Sequence, residues 1–393
     1  MTSSQISKST RRLRLGMVGG GPGAFIGAVH RIAARLDDHF ELVAAALTSD
    51  PDRSRAAALD LHIAPDRAYG TFEQMARAEA ARVDRIDAVS IVTPNHLHYA
   101  VAKAFLNAGI HVICDKPLTA SVEDALDLAQ SVRRSKLIFG LTHNYTGYPM
   151  VRQAREMVAE GQLGNLRVIQ VEYAQDWLAT PVENTGHKQA VWRTDPAQSG
   201  PGGSLGDIGT HAYNLLCFVT GLHCRQVAAD VSIFVPGRRL DDNAQLLLRF
   251  EEGARGMLWA SQVATGNNNN LRIRIYGEKA GLEWQQEQPN SLLFTPLGKP
   301  PVRLHRGAAA STPAAKHASR LPAGHPEGYL EAFAQLYSDL AEQISARLAG
   351  RAPAPSSLLV PTVEDGVAGM RFISAALESS KQDSAWVDLP RSS

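Results

Sequence analysis

Leu13-Arg14-Leu15-Gly16-Met17-Val18-Gly19-Gly20-Gly21 is the stretch from which the fold can be read. An apolar run that stops at three glycines is how a buried parallel strand enters a tight turn. From Phe25 to Leu36 the apolar residues recur at helical spacing, so strand, turn and helix follow in the order of a dinucleotide-binding unit. Such a turn lets backbone amides approach a pyrophosphate at the positive end of a helix, where side chains would block it. Gly19, Gly21, Gly23, Ala24, Phe25 and Ile26 are therefore candidate cofactor contacts, although glycines alone would also suit a plain tight turn.

Downstream, strands are expected at Glu41–Leu47, Asp87–Thr93, His111–Cys114 and Leu137–Phe139. Helices are expected at Asp52–Leu61, His98–Ala108 and Ser121–Ser135, the second stopping at Gly109 and the third capped by Ser121. Strands alternating with helices imply an α/β fold with a doubly wound parallel sheet. Right-handed crossovers then bring Gly19, Thr93 and Lys116 to one edge. After about residue 145 the pattern changes: Leu166–Tyr173, Gln226–Val235, Ala244–Phe250, Arg255–Val263 and Leu271–Tyr276 alternate like strands of a mainly antiparallel sheet. Ala308–Gly324 reads as a surface loop, Gly328–Leu348 as a long amphipathic helix and Val363–Ser379 as a terminal helix. The expected organisation is a disordered tail over 1–12, a dinucleotide-binding, doubly wound domain over 13–143 and a second α/β domain over 144–393.

Of 393 residues, 44% are hydrophobic and 20% charged, an ordinary globular composition. With 40 basic and 39 acidic residues the formal net charge is +1, so no global field favours nucleic acid or an anionic membrane. Cys114, Cys217 and Cys224 lack metal-ligand spacing, so the expectation is no metal and a reducing, cytoplasmic compartment. Neither a secretory signal nor a run of about 18 apolar residues is found, so no membrane association is expected.

Lys116 comes directly after a strand and before Pro117, which prevents the backbone from continuing as sheet. It is expected to project into the crevice near a nicotinamide, although an exposed lysine at a strand end would read the same way. Asp207 and His211 are four apart, a spacing that puts both on one face of a helix. Histidine titrates near neutrality and can take a hydroxyl proton as hydride leaves carbon, with Asp207 orienting the imidazole. A capping aspartate beside a core histidine is the plainer alternative. Thr93, Pro94, Asn95 and His98 follow the third strand and are expected beside the cofactor, His98 with the option of capping the next helix. Tyr145, Trp177, His187, Lys188, Trp192 and Arg193 offer ring faces and hydrogen-bond donors that suit a polyhydroxylated ring. Of these, Tyr145, Trp192 and Arg193 join Lys116, Asp207 and His211 as candidate substrate contacts, while His325 and Tyr329 are candidates to close the site.

Gly19-x-Gly21, Thr93-Pro-Asn-His-Leu-His98, Asp115-Lys-Pro117, Trp192-Arg193, Gly202-Gly203 and Asp207-x-Gly-x-His211 occur in the order of the Gfo/Idh/MocA oxidoreductases. From about residue 13 to its end the chain resembles that family. The resemblance implies that 13–143 is a Rossmann domain and 144–393 a substrate-binding and oligomerisation domain with a large open sheet, with NAD or NADP as cofactor and a sugar, inositol or related polyol as substrate. It also implies that Lys116 hydrogen-bonds the reacting oxygen, that Asp115 replaces a glutamate beside the cofactor, and that the sheet's exposed face joins subunits into a homodimer or homotetramer.

Two departures stand out. His30 follows Gly19 by eleven positions where the family usually has eight, so the turn carries about three extra residues within Pro22–Phe25. Thr48 falls where an aspartate often binds the adenosine ribose, which leaves Ser49 and Asp50 as the candidate contacts there. Arg53 and Arg55 would suit a 2′-phosphate, so NAD and NADP both stay open. The expected activity is interconversion of a secondary alcohol and a ketone on a sugar, inositol or polyol, by an NAD(P)-dependent dehydrogenase. Redox-neutral glycoside cleavage, or a non-catalytic dinucleotide-binding regulator, would use the same scaffold.

Overall fold

The computed structural model describes residues 11–389. Most of the expected tail therefore lies outside the described residues; Arg11 and Arg12 are paired with Asp87 and Asp38.

Strands β1 (Leu13–Gly19), β2 (Phe40–Ala46), β3 (Ala88–Val92), β4 (His111–Cys114) and β5 (Phe139–Leu141) form a five-stranded sheet in the order β2-β1-β3-β4-β5. All of its pairings are parallel. Their continuous apolar runs fit strands covered on both faces. Helices α1 (Phe25–Leu36), α2 (Pro51–Asp60), α3 (Phe72–Ala81), α4 (His98–Asn107) and α5 (Val122–Ser135) make the crossovers. The chain moves outward from β1 to β2, then returns to β3 on the other side. The switch point thus lies between β1 and β3, where Gly19 stands opposite Val92.

Two local readings need correction. Helix α3 was not expected, since four of its ten residues are alanine; it is started by Thr71, whose side chain accepts from the Gln74 amide. Strand β5 begins later than Leu137 because Lys136 takes a left-handed conformation and the Ile138 amide donates to the His111 ring.

After α6 (Pro149–Ala159) comes a nine-stranded sheet built from β6 (Leu166–Ala174), β7 (Cys224–Ser232), β8 (Asn243–Phe250), β9 (Arg255–Ser261), β10 (Asn270–Gly277), β11 (Ala280–Gln285), β12 (Ser291–Pro296), β13 (Val302–His305) and β14 (Val387–Asp388). It is mainly antiparallel, with β6 and β9 running parallel. Strands β11 to β14 extend it beyond the sequence reading; they are short, from two to six residues, and β13 and β14 bury little of their surface. Helices α7 (Lys188–Arg193), α8 (Pro196–Ser199) and α9 (Thr210–Thr220) lie between β6 and β7, followed later by α10 (Pro313–His317), α11 (Tyr329–Leu348) and α12 (Val363–Lys381). Helix α10 falls inside the expected Ala308–Gly324 loop, where Thr312 caps it and Pro313 occupies its first turn.

Helix α11 returns across the molecule. Its Phe333, Leu336, Tyr337 and Leu340 share one buried cluster with Leu13, Leu15, Val29 and Phe40 of the parallel-sheet half. The Tyr337 hydroxyl lies 2.8 Å from His30 Nδ1 and 2.9 Å from Ser90 Oγ, all buried. On its other face Asp339 is buried against Arg152 at 2.6 Å, and Gln335 also donates to its carboxylate. Among the described residues no helix is long and apolar enough to cross a membrane.

Replacing Asp339 with alanine leaves the buried Arg152 guanidinium uncompensated and is expected to destabilise the fold by about 3–5 kcal/mol. Urea unfolding of Asp339→Ala beside the parent chain measures this; an unchanged midpoint would contradict the pairing's role.

Candidate active site

The glycine turn is shaped by close approaches. A Cβ on Gly19 would lie 2.7 Å from the Val92 carbonyl oxygen, and one on Gly21 would lie 2.8 Å from that of Leu47. Gly19 and Gly20 also have φ of +82° and +71°, which disfavour a side chain. A Cβ on Gly27 would sit 2.5 Å from Gly20, so Gly27 is the glycine that lets the helix pack against the turn. The first turn of α1 has no side-chain cap and no acidic residue, leaving its amides available to an anion. At the end of β3 the buried Thr93 Oγ1 has no hydrogen-bond partner in the protein. A cradle closed to side chains, uncapped amides and an unpartnered hydroxyl together fit a dinucleotide.

Other candidate contacts prove to hold the loops in shape. Asn95 is buried and donates to the Ser199 carbonyl. His98 is buried with Nδ1 2.7 Å from the Pro117 oxygen and Nε2 3.0 Å from the Thr93 oxygen. It fastens the loops after β3 and β4 together. Asp115 accepts from the Lys116 amide and the Thr142 hydroxyl. Asp50 caps α2 by accepting from the amides of Asp52 and Arg53, beside the exposed Ser49. Arg55 is paired with Asp52.

Lys116, Asp207 and His211 meet in the crevice. Lys116 Nζ donates to Asp207 Oδ1 and to the Asp207 carbonyl, both at 2.7 Å. The second carboxylate oxygen accepts from Gln262 Nε2 at 2.9 Å, with Arg193 Nε at 3.4 Å. Residues Leu205–Gly209 form a π turn ahead of α9, so the α-helical spacing assumed for Asp207 and His211 does not apply. That turn is pinned by the buried Asp241 carboxylate, which accepts from the amides of Gly203 and Leu205 and from Ser204 Oγ. A Cβ on Gly203 would lie 2.0 Å from the Asp241 carbonyl oxygen. Close packing therefore explains a glycine at that position.

The imidazole of His211 has a different neighbour from the one expected. Asp207 is engaged by Lys116, Gln262 and Arg193, while His211 Nδ1 lies 3.5 Å from His143 Nδ1. Tyr145 packs its ring against His211 with centroids 4.9 Å apart, and its hydroxyl is bonded to that of Tyr173, which donates to Asn269. Tyr145 therefore braces the histidine, with its hydroxyl already engaged. Arg193 lies 4.2 Å over the Trp192 ring, and Gln189 holds both. Tyr329 reaches the cluster, its ring 6.5 Å from Tyr145, whereas His325 is exposed and its carbonyl is held by Arg306. His143, Tyr173, Gln262 and Asn269 escaped the sequence reading. His143 lies just beyond β5, so the rule that gathers strand C-termini at one edge was a signal for it.

Burial alone would push the Asp207 carboxyl up, but the Lys116 and Arg193 cations hold it well below the usual carboxylate range. Burial, reinforced by Lys116 and His143, drives His211 well below the ordinary histidine value. His143 is pushed down to about 3 by burial and by Lys116. The crevice thus holds an ionised pair beside two neutral imidazoles.

Residues 13–143 match the model of an oxidoreductase family with an NAD-binding Rossmann fold, and residues 151–283 match the GFO/IDH/MocA C-terminal domain. The chain belongs to the Gfo/Idh/MocA oxidoreductase family. An oxidoreductase from Sinorhizobium meliloti of known crystal structure is 53% identical, with 96% of this chain and 99% of that one covered and a TM-score of 0.88. An inositol dehydrogenase homolog from Azotobacter vinelandii, crystallised with NAD+, is 37% identical over 96% of this chain and 98% of that one, with a TM-score of 0.92. Levoglucosan dehydrogenase from Pseudarthrobacter phenanthrenivorans is 28% identical over 97% and 99% of the two chains. As a Gfo/Idh/MocA member the protein is an oxidoreductase with an NAD-binding domain.

The neutral histidines carry a linkage consequence. His30 is pushed down to about 4 by burial, alongside His143 and His211, whereas the unfolded chain takes up protons at these positions below about pH 6.5. The unfolded state then binds more protons, so stability is expected to fall as pH drops below that value. The stabilisation from depressed Asp207 is retained across this window, since it is lost only below about pH 4. Urea midpoints at about pH 7.5 and about pH 5.5 test this; equal midpoints would contradict buried neutral histidines.

Proposed function

We propose that this enzyme reversibly oxidises a secondary alcohol on a cyclic polyol, an inositol or sugar-like ring, to the ketone. The meeting of Lys116, Asp207 and His211 at the carboxyl edge of the parallel sheet carries this reading. An ammonium has three N–H donors. Asp207 takes two of those on Lys116, through its carboxylate and its carbonyl, and so aims the third. That third donor is the one for the reacting oxygen, where it stabilises developing negative charge.

His211 is the proton acceptor. Its ring is kept neutral by burial and by Lys116, so it is in the basic form when substrate arrives. The Asp207 carboxylate favours the imidazolium that forms once the proton has moved. Bound NAD supplies the hydride acceptor. Gln262 and Arg193 hold the far carboxylate oxygen, which keeps the lysine aligned through the reaction.

A polyhydroxylated ring suits the surrounding walls, which combine the Trp177 ring with the amides of Gln175 and Asn269, linked at 3.0 Å and 2.7 Å through Gln175. Two relatives point the same way, one named for inositol and the other for an anhydrosugar. The half-exposed Leu247 and Met257 on the outer face of the large sheet support its use as a subunit contact in a homodimer or homotetramer.

A panel of inositols and anhydrosugars with NAD, followed at the NADH absorbance, should reveal turnover. Lys116→Ala and His211→Ala should each lower kcat by about 10²–10⁴-fold. Undiminished turnover in both would overturn the assignment. Substrate cleavage without net NADH would instead indicate the redox-neutral reaction.

A further inference from the structure

The segment between β6 and α9 belongs by sequence to the second half of the chain, yet it touches the first half on both sides of the switch point. At the loop after β3, the Ser199 carbonyl accepts from Asn95 Nδ2 at 2.8 Å, and the Gln198 carbonyl lies 3.4 Å from His96 Nδ1. At the loop after β1, Lys188 Nζ donates to the Pro22 carbonyl at 3.1 Å. The segment therefore spans the crevice in which a dinucleotide lies.

Its placement is not loose. Arg238, almost fully buried, holds the Glu183 carboxylate and the Thr180 carbonyl, and Arg239 pairs with Asp195. His187 caps α7, fixing the backbone at Lys188, the first residue of that helix. Pro22, the residue Lys188 reaches, is among the extra residues that enlarge the glycine turn. The enlargement thus supplies the carbonyl that brings a cation from the second half of the chain to the phosphate-binding turn. The partner of that cation is a carbonyl, and among the described residues no carboxylate pairs with it. A lysine beside uncapped helix amides and without a counter-charge is placed to meet an anion.

We propose that Lys188 is a coenzyme-holding residue, its ammonium pairing with the pyrophosphate of bound NAD across the enlarged turn. The segment that carries it closes over the coenzyme, so the lysine acts chiefly against dissociation. Asn95 and Lys188 then fasten the two ends of the same strap.

Fluorescence titration of the full chain with NADH, without any polyol, tests this independently of the substrate reading. Lys188→Ala should raise the NADH Kd about tenfold, mostly through a faster dissociation rate. Lys188→Arg, which keeps the cation, should stay within about threefold of the parent. The gap between the parent chain and the alanine variant should also narrow as salt rises from about 0.05 M to about 0.5 M. A Kd for Lys188→Ala within twofold of the parent overturns the proposal, and so does an arginine variant as weak as the alanine one.

Discussion

The bond between Lys116 and Asp207 is the constraint around which the two halves of the chain are arranged. One partner stands two residues past the end of the parallel strand β4; the other sits in a π turn ninety-one residues away. Both side chains are mostly buried, at 13% and 17% exposure, where an ion pair costs desolvation as it gains attraction. Such a pair is a poor source of stability but a good source of position. Its second carboxylate oxygen is held by Gln262, from the residue after β9, so the antiparallel sheet is also referenced to the same point.

Around that pair the enzyme keeps opposite protonation habits side by side. The carboxylate is ionised because two cations face it, and the imidazoles are neutral because burial and one of those cations oppose their charge. An acceptor for a proton and a donor to an oxygen are thus available together near neutral pH. Tyr145, Tyr173 and Asn269 form the stiff backing of His211, with their polar atoms satisfied by one another. Preorganisation of this kind lets catalytic groups act without first rearranging.

Much of this was legible in the chain. Leu13–Gly21 reads as a strand running into a glycine turn because apolar run and turn chemistry are local properties, and Lys116 before Pro117 marks a strand end for the same reason. The partners were harder. The four-residue spacing of Asp207 and His211 suggested a shared helical face, but the local turn is a π turn and Lys116 captures the carboxylate from far along the chain. Nor did the chain show why a glycine stands at 203, where the Asp241 carbonyl oxygen at its back leaves no room for a side chain. The Tyr329–Leu348 helix was plain from its spacing. Its seat on the parallel sheet was not, since an amphipathic stripe tells which face is covered and says nothing of what covers it.

That seat has a consequence for how the protein comes into being. The sheet made by the first third of the chain leaves Leu13, Leu15, Val29 and Phe40 waiting for Phe333, Leu336 and Leu340, which are synthesised some three hundred residues later. A nascent chain halted before Tyr329 therefore carries an oily wall without its roof. The cluster that covers this side of the parallel sheet is complete only once helix α11 has emerged.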